Sequence, residues 1–84
     1  MKYTILIERP AEKFITKLAR PEKEWVLRAI AKLPDEGDRK AMQGHPGLFR
    51  LRVGAFRVLY TVDNGKLVVC VVDAGNRGDV YKGY

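Results

Sequence analysis

Arg50, Arg52 and Arg57 lie within one short run, Leu48-Phe49-Arg50-Leu51-Arg52-Val53-Gly54-Ala55-Phe56-Arg57-Val58-Leu59-Tyr60, and Arg77 and Tyr81 follow near the end of the sequence. Guanidinium forks match phosphate oxygens two at a time and keep their charge at any accessible pH. Several of them around one point can hold a phosphodiester and stabilise the charge that builds on it during attack, often the largest single contribution to such catalysis. A tyrosine at the same point can stack on a base or move a proton, and neither role needs a metal.

The strands that must bring these groups together are legible from a period of two. Phe49, Leu51 and Val53 alternate with Arg50 and Arg52, and Phe56, Val58, Tyr60 and Val62 alternate with Arg57, Leu59 and Thr61. Gly54-Ala55 between them reads as a two-residue hairpin turn with glycine in the first central position. That turn sets a register: Val53 faces Phe56, Arg52 faces Arg57, Leu51 faces Val58 and Arg50 faces Leu59. Every inward residue then meets an apolar partner, while Arg50, Arg52 and Arg57 share the opposite face. Two arginines directly across a strand pair repel each other, so stability alone would not choose the arrangement, and a bound phosphate would relieve it. The plainer reading is three solvated surface arginines, each contributing little to stability; the presence of Leu59, Cys70 and Val72 on the same face argues against it.

Asn64-Gly65 reads as a second two-residue turn, with Leu67, Val69 and Val71 continuing the inward set. In that register Arg57 faces Val72. The strand then runs into Gly75-Asn76-Arg77-Gly78-Asp79, a loop that lets Arg77 and Tyr81 fold over the same point. Tyr81 could equally be an aromatic plug over the core edge.

Upstream, Lys2 to Ile7 is short and rich in β-formers, and reads as a first strand. Pro10 suits the first turn of a helix, in which Ala11, Phe14, Ile15 and Leu18 recur at helical spacing. Pro21 ends this helix and opens a second with an apolar stripe of Val26, Ala29, Ile30 and Leu33, flanked by Trp25. Pro34 and Asp35-Glu36-Gly37-Asp38 stop it, and residues 39–47 read as a loop. The expected class is α+β in the order β-α-α-β-β-β, one domain over residues 1–84, with a helix hairpin packed on a small, mostly antiparallel sheet.

Composition sets outer bounds. A chain of 84 residues has room for one core. Sixteen Lys and Arg against ten Asp and Glu give a net charge of +6, which favours a polyanionic partner such as nucleic acid or an acidic protein. One cysteine cannot form an internal disulfide, and Tyr3-Thr4-Ile5-Leu6-Ile7 is too short for a signal or membrane segment. The expectation is a soluble, cytoplasmic protein with no membrane association. No cofactor and no metal are expected, since Cys70 has no Cys or His at ligand spacing. His45 reads as a loop-packing residue, Cys70 as a small hydrophobe, Trp25 as a core or edge residue of the helix hairpin, and Asp79 as solvated.

The run from Leu48 to Tyr60 resembles the signature of the RelE/ParE toxins, an aromatic-basic-apolar-basic strand leading through a turn into an aromatic-Arg-apolar-apolar-Tyr strand. Val72-Asp73-Ala74-Gly75-Asn76-Arg77-Gly78-Asp79-Val80-Tyr81 resembles the family's closing strand, its Gly-x-Arg step and its terminal tyrosine. The resemblance implies a RelE-type toxin that cleaves mRNA in the ribosomal A site. In that reaction a ribose 2′-hydroxyl attacks the adjacent phosphate and leaves a 2′,3′-cyclic product. By position, Arg57 matches the phosphate-binding arginine, Arg77 the arginine near the leaving group, and Tyr81 the stacking or proton-transferring tyrosine. Arg50 and Arg52 fall where studied relatives have lysines. Since arginine is a poor base at neutral pH, Tyr81 becomes the general-base candidate. The resemblance also implies a cognate acidic antitoxin, and the ribosome and mRNA as further partners. With Tyr84 last, the C-terminal helix of longer relatives is expected to be missing or reduced. A gyrase-inhibiting toxin of the ParE kind and a non-catalytic RNA-binding domain are the alternatives; ParE-like poisons generally lack the full set of basic residues.

Overall fold

The computed structural model describes residues 3–76. Within them the order is β1 (Thr4–Ile7), α1 (Arg9–Thr16), α2 (Arg20–Ala31), β2 (Asp38–Ala41), β3 (Leu48–Val53), β4 (Phe56–Asp63) and β5 (Val68–Asn76). The strands form one five-stranded sheet in the order β1-β5-β4-β3-β2. Strand β1 runs parallel to β5, and the remaining pairs are antiparallel. The expected α+β class, with two helices against a mostly antiparallel sheet, is what the chain adopts. No helix among the described residues is long and apolar enough to cross a membrane.

Both helices carry proline in the first turn, where the missing N–H has no intrahelical partner to lose. From α1 the core receives Ala11 and Ile15, and from α2 Val26 and Ile30, with Leu33 just beyond. From the sheet come Leu51, Val53, Phe56, Val58, Tyr60, Val69, Val71 and Ala74. Phe14 meets Phe56 edge-on, with ring centroids 5.8 Å apart.

One strand departs from the sequence reading. Residues 38–41, expected as stop and loop, form β2 and pair antiparallel with β3, so the order is β-α-α-β-β-β-β. All four of its residues are exposed. An edge strand that is charged on both faces carries no apolar alternation to reveal it, and the same charges discourage pairing with a further chain.

The β3–β4 register is the expected one, from Val53 opposite Phe56 to Arg50 opposite Leu59. Gly54 has φ +58, a region open to glycine at no steric cost. A Cβ there would also overlap the Trp25 indole, coming within 2.8 Å of Cζ3 and closer to Cη2. Trp25 is thus a half-exposed edge residue that covers the turn. Gly54→Ala should lower stability by about 1–3 kcal/mol, since it combines backbone strain with the loss of the indole's seat. Urea unfolding reads this as a lower midpoint at unchanged slope; an unchanged midpoint would mean that neither constraint matters.

The β4–β5 connection differs from expectation in two respects. Asp63 pairs with Val68, so the loop has four residues, Asn64 to Leu67, and not two. The Asp63 carboxylate accepts the Lys66 N–H at 3.0 Å, and Leu67 takes φ +55. A side chain that satisfies the loop's own backbone makes a wider turn stable. Farther along, the register shifts between Leu59 and Tyr60: Tyr60 faces Val71 whereas Leu59 faces Asp73. Val72 is the extra residue of a β-bulge. The wider loop and the bulge together place Arg57 opposite Gly75, not Val72.

Candidate functional site: a basic sheet face

The face of the sheet away from the helices collects three of the residues singled out for chemistry, Arg50, Arg52 and Arg57. Alternation along β3 puts Leu48, Arg50 and Arg52 there, and β4 adds Arg57 and Leu59. The ladder places Arg52 directly opposite Arg57 and Arg50 opposite Leu59. From β2, Lys40 lies opposite Arg50 and Asp38 opposite Arg52. Leu48 and Leu59 are buried on this face, with Met42 and Val72 packed against them. The basic groups therefore surround a small apolar floor.

Asp38 is the charge that sequence reading missed. Its carboxylate lies 3.5 Å from Arg52 Nε and 4.0 Å from Arg50 Nη2. The repulsion expected between facing arginines is thus partly met inside the protein. Asp38 was read as part of a helix stop; only its membership of β2 places it across from Arg52. The Arg50 Nε is buried without a hydrogen-bond partner, an unmet donor on a side chain that is otherwise 24% exposed.

Arg57 is not a solvated side chain. It is 5% exposed, and its Nη1 donates to the carbonyls of Gly54 at 3.2 Å and Phe56 at 3.0 Å. Opposite it stands Gly75, brought there by the bulge, which has no side chain to displace the guanidinium. Arg57 therefore ties down the β3–β4 turn as well as facing Arg52. A guanidinium has five N–H donors, and the two carbonyls take at most two of them. Arg52, by contrast, is 55% exposed. The structure thus brings Arg50, Arg52 and Arg57 onto one face. Arg77 and Tyr81, and with them Asp79, lie outside the described residues.

Cys70 sits at the far side of this face, between Leu6 of β1 and Thr61 of β4. It is not merely a small hydrophobe: its Sγ donates to Glu8 Oε2 at 3.0 Å. That hydrogen bond, together with burial and the Glu8 charge, pushes the thiol up to about 11. Iodoacetamide at pH 8 should accordingly alkylate Cys70 on the order of tenfold more slowly than a free cysteine, or slower. Glu8→Gln, which removes the charge, should speed the reaction. Equal rates in the two proteins would contradict the assignment. His45 is half-buried in the β2–β3 loop, where its N–H donates to Met42 O at 3.3 Å and its carbonyl accepts from Leu48 N at 3.1 Å.

On the helix side, a cavity of about 440 Å³ opens beside β2, lined by Tyr3, Arg39, Phe49, Tyr60 and Asn64 among others. Phe49 stacks on Tyr60 with centroids 5.6 Å apart. Arg39 donates to the Pro34 carbonyl. Burial pushes the Tyr60 phenol up, partly offset by the charge and hydrogen bond of Arg39. Nothing in the sequence pattern pointed to this cavity, because Arg39 reaches it only through β2. Among the described residues no group of three His, Cys, Asp or Glu could hold a metal.

Residues 5–81 match the family described as the ParE toxin of the type II toxin–antitoxin system, parDE. No curated protein matches by sequence. Among solved structures, the toxin–antitoxin complex RelBE2 of Mycobacterium tuberculosis aligns with TM-score 0.76 at 21% identity, over 92% of this chain and 100% of that one. The RelE–RelB complex of Pyrococcus horikoshii aligns with TM-score 0.76 at 23% identity, over 94% and 99%. A mutant of the Escherichia coli toxin RelE in the free state aligns with TM-score 0.74 at 25% identity, over 98% and 93%.

Proposed function

The chain belongs to the ParE toxin family of type II toxin–antitoxin systems, within the RelE/ParE superfamily, and from that premise we propose that it is a RelE-type toxin, a metal-independent endoribonuclease that cuts mRNA on the ribosome. The observation that carries this reading is the convergence of Arg50, Arg52 and Arg57 on one sheet face, around the apolar floor of Leu48 and Leu59. The Arg52–Arg57 pairing is itself repulsive and only partly met by Asp38; a phosphodiester backbone would gain two guanidinium forks. In this reading Arg57 binds the scissile phosphate, and Arg50 and Arg52 join it in stabilising the charge that builds on the phosphorane. Arg77 supports the leaving oxygen, and Tyr81 takes the proton from the 2′-hydroxyl. Attack by that hydroxyl forms the new P–O bond as the 5′-oxygen bond of the next nucleotide breaks, leaving a 2′,3′-cyclic phosphate.

Two solved relatives are complexes of RelE with RelB, and by analogy this chain is held inactive by an acidic antitoxin that meets its net charge of +6. A second reading draws on two observations: the matched family is described by ParE, and Arg57 is largely buried on turn carbonyls. Both suit a gyrase-inhibiting toxin that acts by binding alone. Expression of the chain by itself in a bacterium, with pulse-labelled protein synthesis and plasmid supercoiling followed together, separates the two. A stop in translation before any change in supercoiling is expected. Loss of supercoiling with translation intact would replace the first reading by the second, and unimpaired growth with soluble folded protein would reject both.

A further inference from the structure

We propose that Asp38 is a built-in counter-ion that restrains the arginine face, by ion-pairing with the guanidinium groups of Arg50 and Arg52 that a nucleic-acid phosphate would otherwise engage. The inference rests on the reading of that face as a backbone-binding surface, and concerns a residue to which neither sequence pattern nor resemblance assigned a role.

The placement is set by the β2–β3 ladder, in which Asp38 lies opposite Arg52 and two residue pairs from Arg50, on the same face. Its two carboxylate oxygens divide between the two arginines: Oδ2 lies 3.5 Å from Arg52 Nε and Oδ1 4.0 Å from Arg50 Nη2. The other charges facing this point are cationic: Lys40 opposite Arg50, and Arg57 opposite Arg52. The Asp73 carboxylate, across from Leu59, accepts the Ala74 N–H at 2.8 Å. Asp38 is thus the carboxylate among the described residues that bridges the cluster.

The strength of the bridge decides what it can do. The carboxylate side chain is 56% exposed and that of Arg52 55%, and exposed pairs at such distances are weak and screened by salt. A phosphate that engages an arginine in a two-pronged, charge-assisted arrangement binds it more strongly. The bridge is therefore displaceable: it does not lock the arginines, but any polyanion must displace it. The consequence is a face whose grip on a backbone is weaker, and less indiscriminate, than its arginine count implies.

The test is equilibrium binding of a fluorescein-labelled 12-nucleotide single-stranded RNA to the purified chain, read by anisotropy over a series of salt concentrations. Asp38→Asn removes the charge at nearly constant shape, on an exposed edge strand. It should tighten binding about two- to fivefold at low salt. It should also steepen the slope of log affinity against log salt by about 0.7, the equivalent of one further phosphate contact on a single strand. Asp38→Glu, which keeps the carboxylate, should restore wild-type affinity and slope, a rescue that a merely structural role would not require. Thermal unfolding of each variant checks that it is folded, and Asp38→Ser replaces the amide variant if that one is not. If wild type binds the RNA in a salt-dependent manner and the folded uncharged variant binds it equally or more weakly with the same slope, the Asp38 inference is overturned and the reading of the face stands. If folded wild-type protein shows no salt-dependent binding, the reading of the face fails and the inference falls with it.

Discussion

Replacing Arg57 by alanine should reduce cleavage of translated mRNA by about two to three orders of magnitude, the loss typical when one preorganised donor to a developing oxyanion is removed. The structure adds a cost in stability that sequence reasoning did not foresee. Arg57 is 5% exposed and its Nη1 is bonded to the Gly54 and Phe56 carbonyls. Truncation leaves both carbonyls short of a donor and opens space beside Gly75, so it should also lower stability by about 1–3 kcal/mol. The two effects separate by temperature. Well below the melting transition the variant is folded, and any remaining deficit in cleavage belongs to the reaction. Arg57→Lys sharpens the distinction, because it keeps the charge and loses the planar fork: it should recover little of the activity if bidentate phosphate binding is what matters. A folded alanine variant that cuts at the wild-type rate would remove Arg57 from the chemistry and leave it as the anchor of the turn.

Tyr81→Phe should slow cleavage by roughly 10²–10⁴-fold if the phenol is the general base, the usual range for such a group. The deficit has a sign in pH. A base that works as its phenolate becomes more effective as pH rises toward its own titration, whereas phenylalanine supplies no base at any pH. The ratio of wild-type to variant rates should therefore grow from pH 6 to pH 9. If the ring only stacks on a base of the RNA, phenylalanine should serve nearly as well as tyrosine at every pH. A ratio near one and flat in pH would reject the base assignment while leaving the stacking role in place.

The parts of this fold that the sequence makes legible are those where one residue type answers one geometric demand. Gly54 marks the β3–β4 turn because φ +58 and the overlying Trp25 leave no room for a side chain. Alternation on either side of it then places the three arginines on one face without further information. Helix positions followed from Pro10, Pro21 and the spacing of Ala11, Ile15, Val26 and Ile30 for a similar reason. What stayed hidden depends on interactions with no local signature. Strand β2 is exposed on both faces, and β3 is the one strand it pairs with among the described residues. Asn64-Gly65 suggested the tightest turn, but the Asp63 carboxylate stabilises a wider one. The bulge at Val72 is paid for by burying that residue against Leu48 and Leu59, a contact across three strands. Each omission altered the site. Without β2 there is no Asp38, and without the bulge Arg57 would face Ala74 instead of Gly75.

The central claim is that this basic face cuts mRNA, and primer extension on a message being translated tests it most directly. The chain is expressed without antitoxin, total RNA is taken within minutes, and 5′ ends are mapped along an abundant open reading frame. The account predicts new ends at a fixed position within codons, confined to the translated region and absent when Arg57→Ala is expressed at the same level. An intact message in cells whose growth the chain has arrested would contradict it.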